Sequence, residues 1–181
     1  MAVYLFLTDG FEETEALTTA DILRRADIDL SLVSITGQRM VTSSHGIRVE
    51  ADRLFDTAAL QDGDMLVLPG GAVLPGYQAH VPLLSLIRQY AAANKLIAAI
   101  CAAPTLLAEL GLLNGRTAVC FPAMADKLVN ATYGDNLVER DGNFITSKAA
   151  GTTVHFALAL VEALRGKEIA AKIANAFVAQ L

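Results

Sequence analysis

Short unbroken apolar runs alternate along this chain with stretches whose apolar residues recur at helical spacing. Val3–Leu7, Met65–Leu68 and Leu96–Ile100 are runs of the first kind, and Leu30–Ile35 joins them with Ser31 and Ser34 inside it. Unalternated apolar runs of that length read as strands buried on both faces. The spacing predicts a helix over Thr14–Arg25. A second spans Pro82–Asn94, with Leu83, Leu84, Ile87, Tyr90 and Ala91 on one stripe. Arg116–Cys120 reads as a short fifth core strand. Val41–Thr42 and Arg48–Glu50 flank Ser43-Ser44-His45-Gly46, a hairpin signature, and Leu137–Arg140 and Phe144–Thr146 flank the Asp141-Gly142 turn. Two helices close the pattern. One runs from about Thr152 to Leu164 with Val154, Leu158 and Val161 inward, the other from Lys167 with Ile169, Ile173 and Phe177 inward. No repeat, low-complexity tract or linker interrupts the order.

Strands followed by helices, with the strands apolar throughout, predict an α/β fold with a mostly parallel sheet covered by helices on both faces. In such folds ligands sit beyond the carboxyl ends of the strands, near a switch in strand order. Three turns fall there: Asp9–Glu15, Pro69–Gly71 and Cys101–Pro104.

A length of 181 residues fits one domain, taken as residues 1–181. Hydrophobic residues make up 54% and aromatics only 6%, so the core rests on Ala, Leu, Val and Ile. Two cysteines are too few for a disulfide framework. They point to a reducing compartment, read here as the cytoplasm. Met1–Leu7 reads as a strand rather than a signal peptide. No apolar run approaches the ~18–20 residues of a bilayer span. A net charge of −5 without a basic stripe argues against nucleic acid or an anionic membrane as the main partner.

The candidate chemistry centres on Cys101. The run Leu96-Ile97-Ala98-Ala99-Ile100 ends at the cysteine, and Ala102-Ala103-Pro104 opens a helix. Strand, sharp turn and helix form a nucleophile elbow, which lifts a thiol above the sheet and aims a helix N-terminus at it. That N-terminus is expected to lower the thiol pKa. Gly70-Gly71 follows a buried strand and serves either as a plain turn or as part of an oxyanion hole. In the second case the Gly71 and Ala102 N–H groups would point at charge developing beside the sulfur. Among the acids of Asp9–Glu15, Glu12 and Glu13 are expected to be solvated at a helix start. Glu15 lies one turn further in, facing the carboxyl edge of the sheet, with a raised pKa and the capacity to move a proton. None of the three histidines is near Cys101 in sequence, and no pair has metal-ligand spacing. His155 reads as structural, His80 as a surface loop residue, and His45 as a hairpin tip within reach of a partner subunit. Cys120 reads as core, with a secondary thiol role left open.

These residues carry a pattern that resembles the ThiJ/PfpI superfamily and, within it, the branch of the Parkinsonism-associated deglycase. The similarity covers Gly10–Glu15, Val67–Gly71, Ala98–Pro104, Gly151-Thr152-Thr153 and Phe156-Ala157-Leu158. The resemblance implies a flavodoxin-like three-layer sandwich, usually homodimeric and without a cofactor or metal. It implies that Cys101 is a reactive, oxidation-prone nucleophile and Glu15 its protonated partner, with Gly71 and Ala102 as backbone donors. Gly70, Arg25 and His45 fall where that family has pocket or dimer-contact positions. The protease members place a histidine directly after the cysteine, where this chain has Ala102. The best-known member of the branch has a histidine where this chain has Phe121. Without a Cys–His dyad, amide hydrolysis by the usual cysteine mechanism is not expected.

Two functions follow as expectations. The first is a thiol enzyme of glyoxalase or deglycase type for stress protection. It would act on methylglyoxal, glyoxal or their early protein adducts. The second is a redox-sensing stress protein or chaperone acting through a Cys101 sulfinate. The thiazole-biosynthesis label carried by some relatives has no phosphate loop or metal motif behind it and ranks last.

Overall fold

The computed structural model describes residues 1–179. β1 (Ala2–Leu7) leads through a π-helical turn, Thr14–Thr18, into α1 (Thr19–Arg25), so the predicted helix is present but its first turn is widened. β2 (Asp29–Ser34), β3 (Met40–Thr42), β4 (Arg48–Glu50) and β5 (Arg53–Leu54) follow, then α2 (Thr57–Leu60) and β6 (Met65–Leu68). α3 (Leu74–Ala79) and α4 (Val81–Ala92) come next, then β7 (Leu96–Ile100) and α5 (Ala103–Glu109). β8 (Thr117–Ala118), β9 (Thr132–Tyr133), β10 (Val138–Asp141), β11 (Phe144–Ser147), α6 (Thr153–Arg165) and α7 (Lys167–Ala176) complete the chain.

Seven strands form the central sheet in the order β10-β11-β7-β6-β1-β2-β5, parallel except for the β10–β11 hairpin. α1, α6 and α7 pack on one face, and α2 to α5 cover the other. This is the three-layer α/β sandwich expected from unalternated strands, whose two faces must both be covered. The chain leaves β1 toward β2 on one side and returns to β6 on the other. The switch point therefore lies between the ends of β1 and β6.

One predicted core strand falls outside this sheet. Residues 117–118 of the Arg116–Cys120 run pair with β9 in a separate two-stranded sheet. β10 already occupies the free edge of β11, so β8 finds its other partners in side chains. The Asp141 carboxylate accepts the Thr117 N–H at 2.9 Å, and Thr146 Oγ1 accepts the Val119 N–H at 3.0 Å. The β3–β4 hairpin is likewise a separate ribbon, turning at Gly46 with φ of 81°. On α4 the buried stripe is Leu83, Leu86, Ile87 and Tyr90, while Leu84 and Ala91 are only half-buried. Val154, Ile169 and Phe177 are also half-buried rather than inward. No helix among the described residues is long and apolar enough to cross a membrane.

Candidate active site

The three turns singled out in the sequence meet at the carboxyl ends of β1, β6 and β7. Cys101 ends β7 with φ of 64°, a left-handed conformation that L-residues other than Asn and Asp rarely adopt. The conformation costs of order 1–3 kcal/mol and persists because its surroundings hold both ends of the residue. The Cys101 N–H donates to the Ser147 carbonyl at 3.0 Å, and its own carbonyl accepts the Phe121 N–H at 2.8 Å. The side chain is thereby turned off the β7 axis toward the Pro69-Gly70-Gly71 loop.

Glu15 reaches the same place from the π-helical turn and is 1% exposed. Its Oε2 accepts the Gly70 N–H at 2.7 Å, and its N–H is capped by Glu12 Oε2 at 2.7 Å. Oε1 is buried and has no hydrogen-bond partner among the described residues, while the Cys101 thiol stands near enough to favour the charge of the carboxyl. Gly70 separates them. A methyl group there would stand 2.6 Å from Cys101 Cβ and 2.8 Å from Glu15 Oε2, so only glycine lets the two side chains approach. Gly71, with φ of 98°, bridges to Phe11, and a side chain at Gly71 would overlap the Gly10 carbonyl oxygen.

The electrostatics follow from burial. Loss of water raises Glu15 from 4.5 to about 7, against hydrogen bonds from the Gly70 N–H and the Cys101 thiol that favour its charge. Burial also pushes the Cys101 thiol up to about 12, and the charge and hydrogen bond of Glu15 push in the same direction. The Gly71 and Ala102 N–H groups pull it down but are outweighed. The expected lowering of the thiol pKa by the helix N-terminus is therefore reversed, first by burial and then by Glu15. The pocket takes its first negative charge on the Glu15 carboxyl and resists a second on the sulfur.

The remaining predicted residues are dispersed. His45 is exposed on the β3–β4 turn, with Nδ1 2.7 Å from Glu13 Oε1. The hairpin that carries it is tied to the 9–12 loop through Asp9 Oδ1 to the Thr42 N–H and Ser44 Oγ to the Gly10 carbonyl. Arg25 is not brought to the cysteine. It lies at the far end of α1, bonded to Asp21 and stacked over Phe177. Glu12 and Glu13 are half-buried and bonded, not solvated as expected. His80 is no free surface residue either, since its Nδ1 caps α4 through the Leu83 N–H at 3.1 Å and its ring meets Phe55 edge-on. None of the three histidines bonds Cys101. Cys120 is buried, with Sγ donating to the Phe121 carbonyl. Folding also groups Glu12, Glu13 and His45, whose ligand-type atoms lie within 4.8 Å of one another, a juxtaposition that sequence spacing hid. All three groups are already engaged with protein atoms, Glu12 with the Glu15 N–H and Glu13 with His45. Tyr77, whose hydroxyl lies against the Phe6 and Pro69 carbonyls beside Gly70, carries no motif in the sequence. A tyrosine in a helix that follows a buried strand and Gly-Gly is its one signal, since a buried phenol needs a hydrogen-bond partner.

Comparison with known proteins gives the family of the chain. Residues 1–163 match the DJ-1/PfpI family. Protein DJ-1 homolog B of Arabidopsis thaliana is 38% identical over 174 residues, which are 94% of this chain but 39% of that longer protein. Protein dj-1beta of Drosophila melanogaster is 37% identical, with 94% and 93% of the two chains covered. Its crystal structure superposes with a TM-score of 0.90 at 35% identity, covering 99% and 98%. A deglycase of Pyrococcus horikoshii is 31% identical over 147 residues, 80% of this chain and 88% of its own.

Proposed function

The chain belongs to the DJ-1/PfpI family, and from that premise we propose that it is a cofactor-independent thiol enzyme acting on small reactive dicarbonyls such as methylglyoxal and glyoxal, or on their early protein adducts. The observation that carries this reading is the buried Glu15 carboxyl, raised to about 7 and set against the Cys101 thiol. A group that is half-protonated near neutral pH is matched to moving protons in both directions. The relative named as a deglycase supports the same class of reaction.

The steps balance without an external oxidant. Ionised Glu15 takes the thiol proton as Sγ adds to the aldehyde carbon, and the proton passes to the carbonyl oxygen to give a hemithioacetal. The Gly71 and Ala102 N–H groups lie beside the sulfur and favour negative charge there. Glu15 then removes the proton on the former aldehyde carbon and returns it to the neighbouring carbon through an enediol. The result is a 2-hydroxyacyl thioester on Cys101. Water cleaves it, releasing a 2-hydroxy acid and the free thiol. The test is lactate formation from methylglyoxal in the absence of glutathione. In deuterated water the lactate should carry deuterium at C2 to the extent that the proton held on Glu15 exchanges with solvent before it is returned. Full activity in Cys101→Ala would refute the reading.

A second reading draws on the unpartnered Glu15 Oε1. Peroxide converts the thiolate to sulfenate and then to sulfinate, releasing one water at each step. Protonated Glu15 and the Gly71 and Ala102 N–H groups would donate to the new oxygens. Mild peroxide should then add two oxygens to Cys101 selectively over Cys120, read by mass spectrometry. In either reading we take the chain as a homodimer. Exposed Met40 and Ile47 on the hairpin that bears His45 support this, and light scattering tests it.

A further inference from the structure

Two buried side chains hold opposite ends of a single peptide group. Tyr77, on α3, is fully buried, and its hydroxyl lies 3.0 Å from the Phe6 carbonyl oxygen and 3.2 Å from that of Pro69. The Pro69 carbonyl and the Gly70 N–H belong to the same planar peptide unit. That N–H is the donor that Glu15 Oε2 accepts at 2.7 Å. Hydrogen bonds linked through an amide polarise one another. Donation to the oxygen draws density from the nitrogen and makes the N–H a stronger donor. We propose that Tyr77 is a positioning residue for Glu15, holding the Pro69–Gly70 peptide in place and strengthening the donor that stabilises the ionised carboxyl beside Cys101.

The surroundings favour this role. α3 lies hard against the end of β1, since a methyl group on Gly76 would stand 2.5 Å from Thr8 Oγ1. That approach seats the phenol between the ends of β1 and β6, where its single O–H proton is shared between the Phe6 and Pro69 carbonyls. The titratable groups facing Glu15 are the Cys101 thiol from the elbow, Glu12 from the preceding loop and the Tyr77 phenol from α3. Burial, and then the charge of Glu15, push the phenol well above its ordinary value, so it stays an O–H donor throughout the neutral range. Glu12 opposes ionisation of Glu15, which leaves the Gly70 N–H and the thiol as the contacts that favour it. The inference rests on the reading of Glu15 as the proton carrier and adds the residue that sets how readily it ionises.

The test follows the Glu15 side-chain carboxyl carbon by NMR across pH in the full chain. Tyr77→Phe should raise the titration midpoint by about 0.5 pH unit, which leaves roughly threefold less ionised Glu15 at a fixed pH below the midpoint. Site-specific 3,5-difluorotyrosine at position 77, a stronger donor, should lower it. A merely structural tyrosine would not move the two in opposite directions. Unchanged midpoints, or shifts of the same sign, overturn the proposal. If Tyr77→Phe does not fold, the difluorotyrosine chain decides alone, and an unmoved midpoint there overturns it. No substrate enters this measurement. Opposite shifts in a chain that makes no lactate would therefore refute the proposed reaction and leave the role of Tyr77 standing.

Discussion

Adding one methyl group at Gly70 should disable the site while leaving the fold. The new Cβ would stand 2.6 Å from Cys101 Cβ, 2.8 Å from Glu15 Oε2 and 3.0 Å from the Ala102 nitrogen. Comfortable carbon contacts lie near 3.5–4.0 Å, so the thiol and carboxyl must part by about 1 Å. Gly70 is not among the positive-φ glycines, so alanine adds no backbone strain and the effect is purely steric. Overpacking of this kind costs roughly 1–3 kcal/mol, which in a chain of this size lowers Tm by about 2–12 °C. A displacement of about 1 Å between reacting groups costs on the order of 10²-fold in rate. Gly70→Ala should therefore fold, melt several degrees lower, and lose about two orders of magnitude in methylglyoxal turnover. Gly151→Ala is the control, because a methyl group there meets nothing within 4 Å. The assay pairs lactate production with a thermal melt on both variants. A Gly70→Ala chain with wild-type turnover would mean that the approach of Cys101 to Glu15 is not what the reaction uses.

Four further outcomes are expected. Glu15→Gln removes the charge that, after burial, does most to raise the thiol, so the midpoint of Cys101 alkylation by iodoacetamide should move below about 12. Dicarbonyl turnover should fall by about 10²–10⁴-fold in the same variant, because the proton carrier is gone. Glu15 also makes stability depend on pH. Its value is raised from 4.5 to about 7 on folding, so the native state holds the proton more tightly than the unfolded chain does. Its contribution is fully present below pH 4.5 and is lost as pH rises toward 7, by up to about 3 kcal/mol. Urea titrations at several pH values should show wild type losing stability relative to Glu15→Gln across that window, and parallel curves would contradict the burial argument. Gly71→Ala should unfold or lose activity outright, since its φ of 98° and its contact with the Gly10 carbonyl both exclude a side chain. Circular dichroism distinguishes the two results.

The strand–helix order, the parallel sheet and the location of the site were legible in the chain itself. Apolar continuity over four or five residues, and its absence from the helices, reflects how many faces of each element are buried, and burial is written locally in side-chain type. The elbow at Cys101 was legible for a similar reason. A strand that ends in small residues before Ala103-Pro104 can turn only sharply, and the structure realises that turn at φ of 64°. Glu15 was found from its register one turn beyond Phe11. Sequence pattern could not show that Arg116–Cys120 would be excluded from the main sheet, because that depends on β10 reaching the edge of β11 first.

The charge state of the site was likewise decided only by tertiary packing. From sequence, a thiol at a helix N-terminus should be acidified. Folding buries a carboxyl beside it, and in a water-poor pocket the repulsion and desolvation exceed what two backbone N–H groups supply. The link from Tyr77 to Glu15 has the same origin, since residues 62 positions apart meet across one peptide group that only the ends of β1, β6 and α3 bring together. Local sequence therefore determined which elements form and where the Cys101 thiol stands. The energies of its protons were settled by contacts between segments far apart in the chain, because desolvation and charge proximity are properties of the packed pocket and not of any single stretch of it.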